Sequence, residues 1–185
     1  MTEKLKTALL VIDVQNSFYH RPYWEAPDVE AFQENLSKLI TGCTDQVIPT
    51  AYILHEEESG PFSPESGFVQ LMDFLPKEDS AAIFRKQVHS AFSIPQLQAW
   101  LQERGIEKLI ISGIRSEQCC ETTTRAGSDL GYQVDYVTEA TLTFPITHVR
   151  SGRTYSAAEI KERTELVLEG RFAEIKTVEQ CLAAS

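Results

Sequence analysis

The chain has 185 residues, with 17 Lys and Arg against 27 Asp and Glu and a formal charge of −10 at pH 7. That balance argues against nucleic acid and anionic membranes as partners, and no apolar run approaches the ~20 residues needed to cross a bilayer. Four cysteines without framework spacing (Cys43, Cys119, Cys120 and Cys181) and no signal-peptide pattern lead us to expect one cytoplasmic domain, residues 1–185, with reduced thiols.

Ala8–Ile12 is a continuous apolar run, as expected for a central parallel strand covered on both faces. Asp13 follows at its carboxyl end. An acid there is costly to bury, and open α/β sheets bind ligands outside such strand ends; a helix N-cap or a solvated loop acid is the ordinary alternative. From Asp28 to about Gly42, the residues Val29, Phe32, Leu36, Leu39 and Ile40 form one helical stripe, with Gly42 as its terminator. Thr50–Leu54 is a strand opened after Pro49. A short apolar strand from Ala81 delivers Lys86 to the same edge as Asp13. Ile94–Arg104 reads as a helix with Ser93 as N-cap and Gly105 at its end. Lys108–Ile114 reads as a buried strand, and the segment from about Glu117 to Leu130 as a helix ended by Gly131. Gln133–Val137 is another strand, Ser156–Glu159 a capping box opening a helix to about Glu169, Phe172–Lys176 a final strand, and Thr177–Gln180 the cap of a short terminal helix. The alternation predicts an α/β protein with three α/β/α layers: an open, mainly parallel sheet of about six strands with helices on both faces.

Cys119 falls in the first turn of the Glu117–Leu130 helix. Unpaired backbone N–H groups and the helix dipole there favour a thiolate and could hold an oxyanion. A cysteine in a helix is otherwise a small buried hydrophobe, and a lone lysine is ordinarily surface charge. An acid, a base and a thiol brought to one edge by three strands form a less accidental set. Cys120 points about 100° away from its neighbour, so only one of the two thiols can face the sheet edge.

The stretches Ile12-Asp-Val-Gln15 with Phe18, Arg85-Lys-Gln-Val-His-Ser-Ala-Phe92, Gly113-Ile-Arg-Ser-Glu-Gln-Cys119, Thr123-Thr-Arg125 and Asp129-Leu-Gly-Tyr132 occur in order along nearly the whole chain. In them the sequence resembles the isochorismatase-like cysteine hydrolase superfamily, which includes nicotinamidases, N-carbamoylsarcosine amidohydrolase and isochorismatase. The resemblance implies a triad of Asp13 as general acid/base, Lys86, and Cys119 as nucleophile, with Cys120 at a position the family fills with an apolar residue. It further implies a cis peptide at Ile114–Arg115 and an oxyanion hole made by the amides of Arg115 and Cys119. The activity implied is hydrolysis of a C–N bond, amide or carbamoyl, in a small molecule; vinyl-ether hydrolysis of the isochorismatase type is the alternative. Homo-oligomers, dimers or tetramers, are implied by resemblance only.

Metal-dependent nicotinamidases carry an Asp-x-His run with a further histidine after the second main strand. This chain has His55 alone, followed by Glu56, Glu57 and Glu58, which read as a solvated loop, so neither metal nor cofactor is expected. His20, His89 and His148 lack metal-ligand spacing. Phe18, His55 and Phe62 are candidates to line the substrate pocket. Thr141–Tyr155 is long for a connection; His148, Arg150 and Arg153 could meet a carboxylate on a substrate or a neighbouring subunit, or form a solvated basic loop. Two readings of another class stay open: a redox protein using Cys119 and Cys120, and a catalytically silent scaffold.

Overall fold

The run after the N-terminus forms strand β1 (Thr7–Ile12), buried along its whole length. The computed structural model describes residues 5–24, 28–76 and 82–184, so the start of the third apolar run at Ala81 lies outside the described residues. β1 pairs with β2 (Thr50–His55) on one side and with β4 (Lys108–Ile114) on the other. β3 (Ala82–Lys86) lies outside β2. Beyond β4 come β5 (Gln133–Leu142) and, after the short antiparallel ribbon β6 (Ile146–Thr147) and β7 (Thr154–Tyr155), the outermost strand β8 (Glu174–Ile175). The result is a six-stranded sheet in the order β3-β2-β1-β4-β5-β8, parallel throughout.

Successive residues of a strand point to opposite faces, and β1 shows why its apolar run has no polar gap. Leu9 and Val11 enter one core with Phe32, Leu36, Leu39 and Ile40 of α1 (Val29–Asp45) and Val178 and Cys181 of α5 (Val178–Ala184). Ala8, Leu10 and Ile12 enter a second core with Leu97 and Leu101 of α2 (Pro95–Glu103) and Leu168 of α4 (Ala157–Leu168). Two buried faces and two helical layers give the three-layer α/β/α architecture. Among the described residues, no helix is long and apolar enough to cross a membrane.

Several expected boundaries move for local reasons. Gly42 does not end α1, which runs on to Asp45. A Cβ at Gly42 would lie 2.4 Å from Leu182 Cδ1, so this glycine lets α5 pack closely against α1. Ser93 is not the cap of α2: its hydroxyl donates to the Ser90 carbonyl, and the helix begins at Pro95 without a side-chain cap. The cysteine segment opens as a π-helical turn (Ser116–Cys120) before α3 (Glu121–Asp129). β5 runs to Leu142 across an irregularity in which Ile111 pairs with Tyr136 but Gly113 with Thr141. The long segment before α4 holds the β6–β7 ribbon, and the Ser156–Glu159 capping box is present.

Gly113 sets how closely β1 and β4 approach at their carboxyl ends. It adopts φ 122, and an added Cβ would lie 2.0 Å from the Ile12 carbonyl oxygen. Neither the dihedral nor the backbone contact can relax by turning a side chain. Gly113→Ala should therefore destabilise the protein by about 3 kcal/mol, read as a lower urea midpoint. An unchanged midpoint would show that the strands can part here at no cost.

Candidate active site

In this strand order the connections leave β1 in opposite directions, and the crevice outside the carboxyl ends of such strands is where open α/β sheets place ligands. Asp13 follows β1, Lys86 is the last residue of β3, and Cys119 lies in the π-helical turn after β4. The structure brings all three together. Lys86 Nζ donates to Asp13 Oδ2 at 2.8 Å and to Cys119 Sγ at 3.4 Å. Asp13, Lys86 and Cys119 are only 1%, 3% and 7% exposed, so this charge cluster is nearly dry.

Local structure fixes each of the three. Asp13 takes φ 55, a left-handed conformation uncommon outside glycine, while its N–H still donates to the Ile53 carbonyl. Lys86 is tied to the cysteine helix through the next segment: the Ala91 N–H donates to Thr123 Oγ1 at 3.0 Å. The π turn is pinned by Tyr136 Oη donating to the Ser116 carbonyl and by a 2.6 Å contact between the hydroxyls of Ser116 and Thr141. Glu121, nearly buried, binds Arg125 one turn on and Arg163 of α4. Single turns of π-helix recur at functional sites because they re-aim one side chain. The Ile114–Arg115 peptide is cis. The Arg115 side chain pairs with Glu117 at 3.0 Å and lies against the rings of Tyr23 and Phe144.

The two neighbouring cysteines separate clearly. Cys120 is fully buried, and its thiol donates to the Ser112 carbonyl at 3.8 Å. Cys119 faces Lys86. Burial, however, pushes the Cys119 thiol up to about 12, the Asp13 carboxylate adds to the rise, and Lys86 opposes it without prevailing. This corrects the expectation of a resting thiolate: Lys86 is already held by Asp13, and a dry site disfavours a second anion.

Two polar neighbours complete the site. His55 Nδ1 lies 3.1 Å from Lys86 Nζ, so this residue, a sequence candidate for the pocket lining, meets the lysine. Gln15, fully buried, accepts from the His55 N–H at 2.7 Å and donates to the His55 carbonyl at 3.0 Å and to Ser17 Oγ at 2.9 Å. Sequence reading passes over this role of Gln15; its signals are its place in the Ile12-Asp-Val-Gln15 motif and a polar side chain two residues past Asp13.

Phe18 and Phe62 are buried and meet edge to face with ring centroids 5.0 Å apart, and Phe62 lies 6.1 Å from the His55 ring. Arg21 covers the Phe62 ring and binds Glu57, while Glu56 binds Arg85. Among the described residues, no group of three His, Cys, Asp or Glu side chains is placed to hold a metal ion. Of the loop cations, read as able to meet a carboxylate or as a solvated basic loop, Arg153 binds Glu159 and covers Tyr155, and His148 contacts Ser151. A groove of about 560 Å³ runs between the β6–β7 ribbon and α4, with Ile146, Tyr155 and Leu166 in its wall; it touches the cysteine turn at Glu117 but none of Asp13, Lys86 or Cys119.

Comparison with known proteins bears on the family and the fold. The isochorismatase domain family matches residues 7–170. The uncharacterized isochorismatase family protein YrdC of Bacillus subtilis is 28% identical over 96% of this chain and 95% of its own. Nicotinamidase 3 of Arabidopsis thaliana is 27% identical over 74% of this chain and 73% of its own. In fold, a cysteine hydrolase from Pseudomonas syringae pv. phaseolicola 1448A superposes with a TM-score of 0.88 at 20% identity, covering 100% of this chain and 98% of that one. With the family matched across most of its length, the chain belongs to the isochorismatase family.

Proposed function

We propose that the protein hydrolyses a C–N bond, amide or carbamoyl, of a small molecule through a thioester on Cys119. The observation that carries this reading is the single ammonium of Lys86 held between a carboxylate and a thiol in a dry site. Similarity to a nicotinamidase, an enzyme named for an amide substrate, supports a C–N bond over a vinyl ether.

At rest the site holds Asp13 as carboxylate, Lys86 as ammonium and Cys119 as thiol. As sulfur attacks the substrate carbonyl, Asp13 takes the thiol proton, and the negative charge moves from one partner of Lys86 to the other. The carbonyl oxygen becomes an oxyanion facing the amides of Arg115 and Cys119. Collapse breaks the C–N bond, and Asp13 returns the proton to the leaving nitrogen. Asp13 then takes a proton from water as hydroxide attacks the thioester, giving the carboxylic or carbamic acid and restoring the thiol. A panel of primary amides, carbamoyl compounds and isochorismate, scored for ammonia and for pyruvate, tests the reading. Pyruvate from isochorismate without ammonia from any amide would replace it with vinyl-ether hydrolysis.

Cys119→Ala should abolish turnover, and Asp13→Asn should lower it by about 10²–10⁴-fold. Cys120→Val should leave most activity, because Cys120 packs in the core under β4. The opposite pattern between the two cysteines would move the nucleophile.

The raised thiol predicts a pH dependence. The reactive thiolate grows as pH rises toward about 12. The rate of Cys119 alkylation by iodoacetamide, followed on its peptide by mass spectrometry, should climb roughly tenfold per pH unit through the range where an ordinary thiol levels off, near about 8.5. A plateau near that ordinary value would show that the thiol is not depressed in acidity.

Turnover should survive chelation and dialysis, since Glu56 and Glu57 are each bound to an arginine and His55 faces Lys86. Loss of activity in EDTA with recovery on adding zinc, manganese or iron would contradict this.

A further inference from the structure

The Lys86 ammonium carries three N–H donors and has three neighbours: Asp13 Oδ2, Cys119 Sγ and His55 Nδ1. The first two belong to the proposed chemistry; the third has had no role. An ammonium can only donate, so at this contact the imidazole presents a lone pair on Nδ1 and carries its hydrogen on Nε2. The position is built into the sheet. His55 and Lys86 are direct partners in the β2–β3 register, and the His55 main chain is gripped from both sides by the buried Gln15 amide.

We propose that His55 is a positioning residue: as the neutral Nε2–H tautomer it accepts the third proton of Lys86 and fixes the ammonium between Asp13 and Cys119. The role in turnover rests on the cysteine-hydrolase reading of the site. A surface lysine fills a spare donor with water. In a dry site an unfilled donor is costly, and an ammonium lacking this acceptor would lose one of the three contacts that hold it between the carboxylate and the sulfur.

The ring also titrates. It faces Lys86 on β3, Asp13 after β1, Glu57 in the loop after β2 and His89 after β3; burial first, then Lys86, hold its pKa below the ordinary histidine value, with Asp13 and Glu57 opposing. The ring is therefore neutral at neutral pH. Protonation at lower pH removes the acceptor and sets a second cation 3.1 Å from Nζ. The positioning is thus present above the ring's pKa and lost as pH falls through it.

The intact protein tests the tautomer directly by nitrogen NMR of the His55 ring. An unprotonated Nδ1 and a protonated Nε2 are expected; the reverse tautomer overturns the proposal without any variant. Two variants test the consequence on an amide from the panel above. His55→Asn puts a non-titrating oxygen near the place of Nδ1 and should keep kcat within about threefold of the parent. His55→Leu removes the acceptor and should lower kcat about tenfold with little change in KM. The acid limb of kcat should shift to lower pH in His55→Asn. Parental kcat in His55→Leu, or an unmoved acid limb in His55→Asn, refutes the role. If no amide or carbamoyl compound is hydrolysed, the C–N reading fails, while the ring tautomer still decides whether His55 seats the lysine.

Discussion

The buried ammonium of Lys86 is the constraint on which the rest of this site depends. Removing a charge from water costs several kcal/mol even after relaxation, and only well-placed partners offset it. At an effective dielectric constant of about 20, attraction to an anion at the 2.8 Å of Asp13 is about 6 kcal/mol, and to one at the 3.4 Å of Cys119 about 5 kcal/mol. Moving the negative charge from oxygen to sulfur therefore forfeits only about 1 kcal/mol of attraction. The larger difference is in proton affinity: an ordinary thiol holds its proton more tightly than an ordinary carboxyl by about 4–5 pH units, or about 6 kcal/mol. Burial raises the Cys119 thiol further and keeps it protonated at rest. In the proposed reaction the thiolate is worth forming only as the carbon–sulfur bond forms.

Holding such a cluster together falls to the scaffold, because the ends of three different strands, β3 among them with β2 between it and β1, must deliver atoms to within a few ångström. Gly113 lets β4 come against β1, Thr123 ties the cysteine helix to the segment after Lys86, and Glu121 links that helix to α4 through Arg163. None of these contacts reaches the reacting atoms. Each one limits how far one member of the site can drift from the other two.

The sequence reveals some of this and hides the rest for identifiable reasons. The apolar runs ending at Ile12 and Ile114 are patterns of burial on both faces, which is why the strands, and the residues just beyond them, can be read. Asp13, Lys86 and Cys119 stand out because polar chemistry follows each run abruptly. What stays hidden depends on distant partners. Gly42 looks like a helix terminator unless Leu182, far along the chain, is known to press on it. The π turn depends on Tyr136 and Thr141 gripping Ser116. The thiol's resting state is misjudged because helix position and a nearby lysine are local signals, whereas the depth of burial is not.

Asp13 and Gln15 show how one local strain is balanced by another local contact. At φ 55 the chain leaves the extended path of β1, so the strand cannot go on pairing with β2 through its own backbone. The His55 N–H and carbonyl at the end of β2 would then be left without partners on that side, a costly state in a buried edge. The Gln15 amide carries one acceptor and a pair of donors at the end of its side chain, and it meets both groups as a strand would have done. The left-handed turn that aims Asp13 at the lysine and the amide that completes β2 are thus two parts of one solution. The β1 register ends at Ile12, and the hydrogen bonding to β2 ends three residues later at Gln15, with Asp13 and its carboxylate in between.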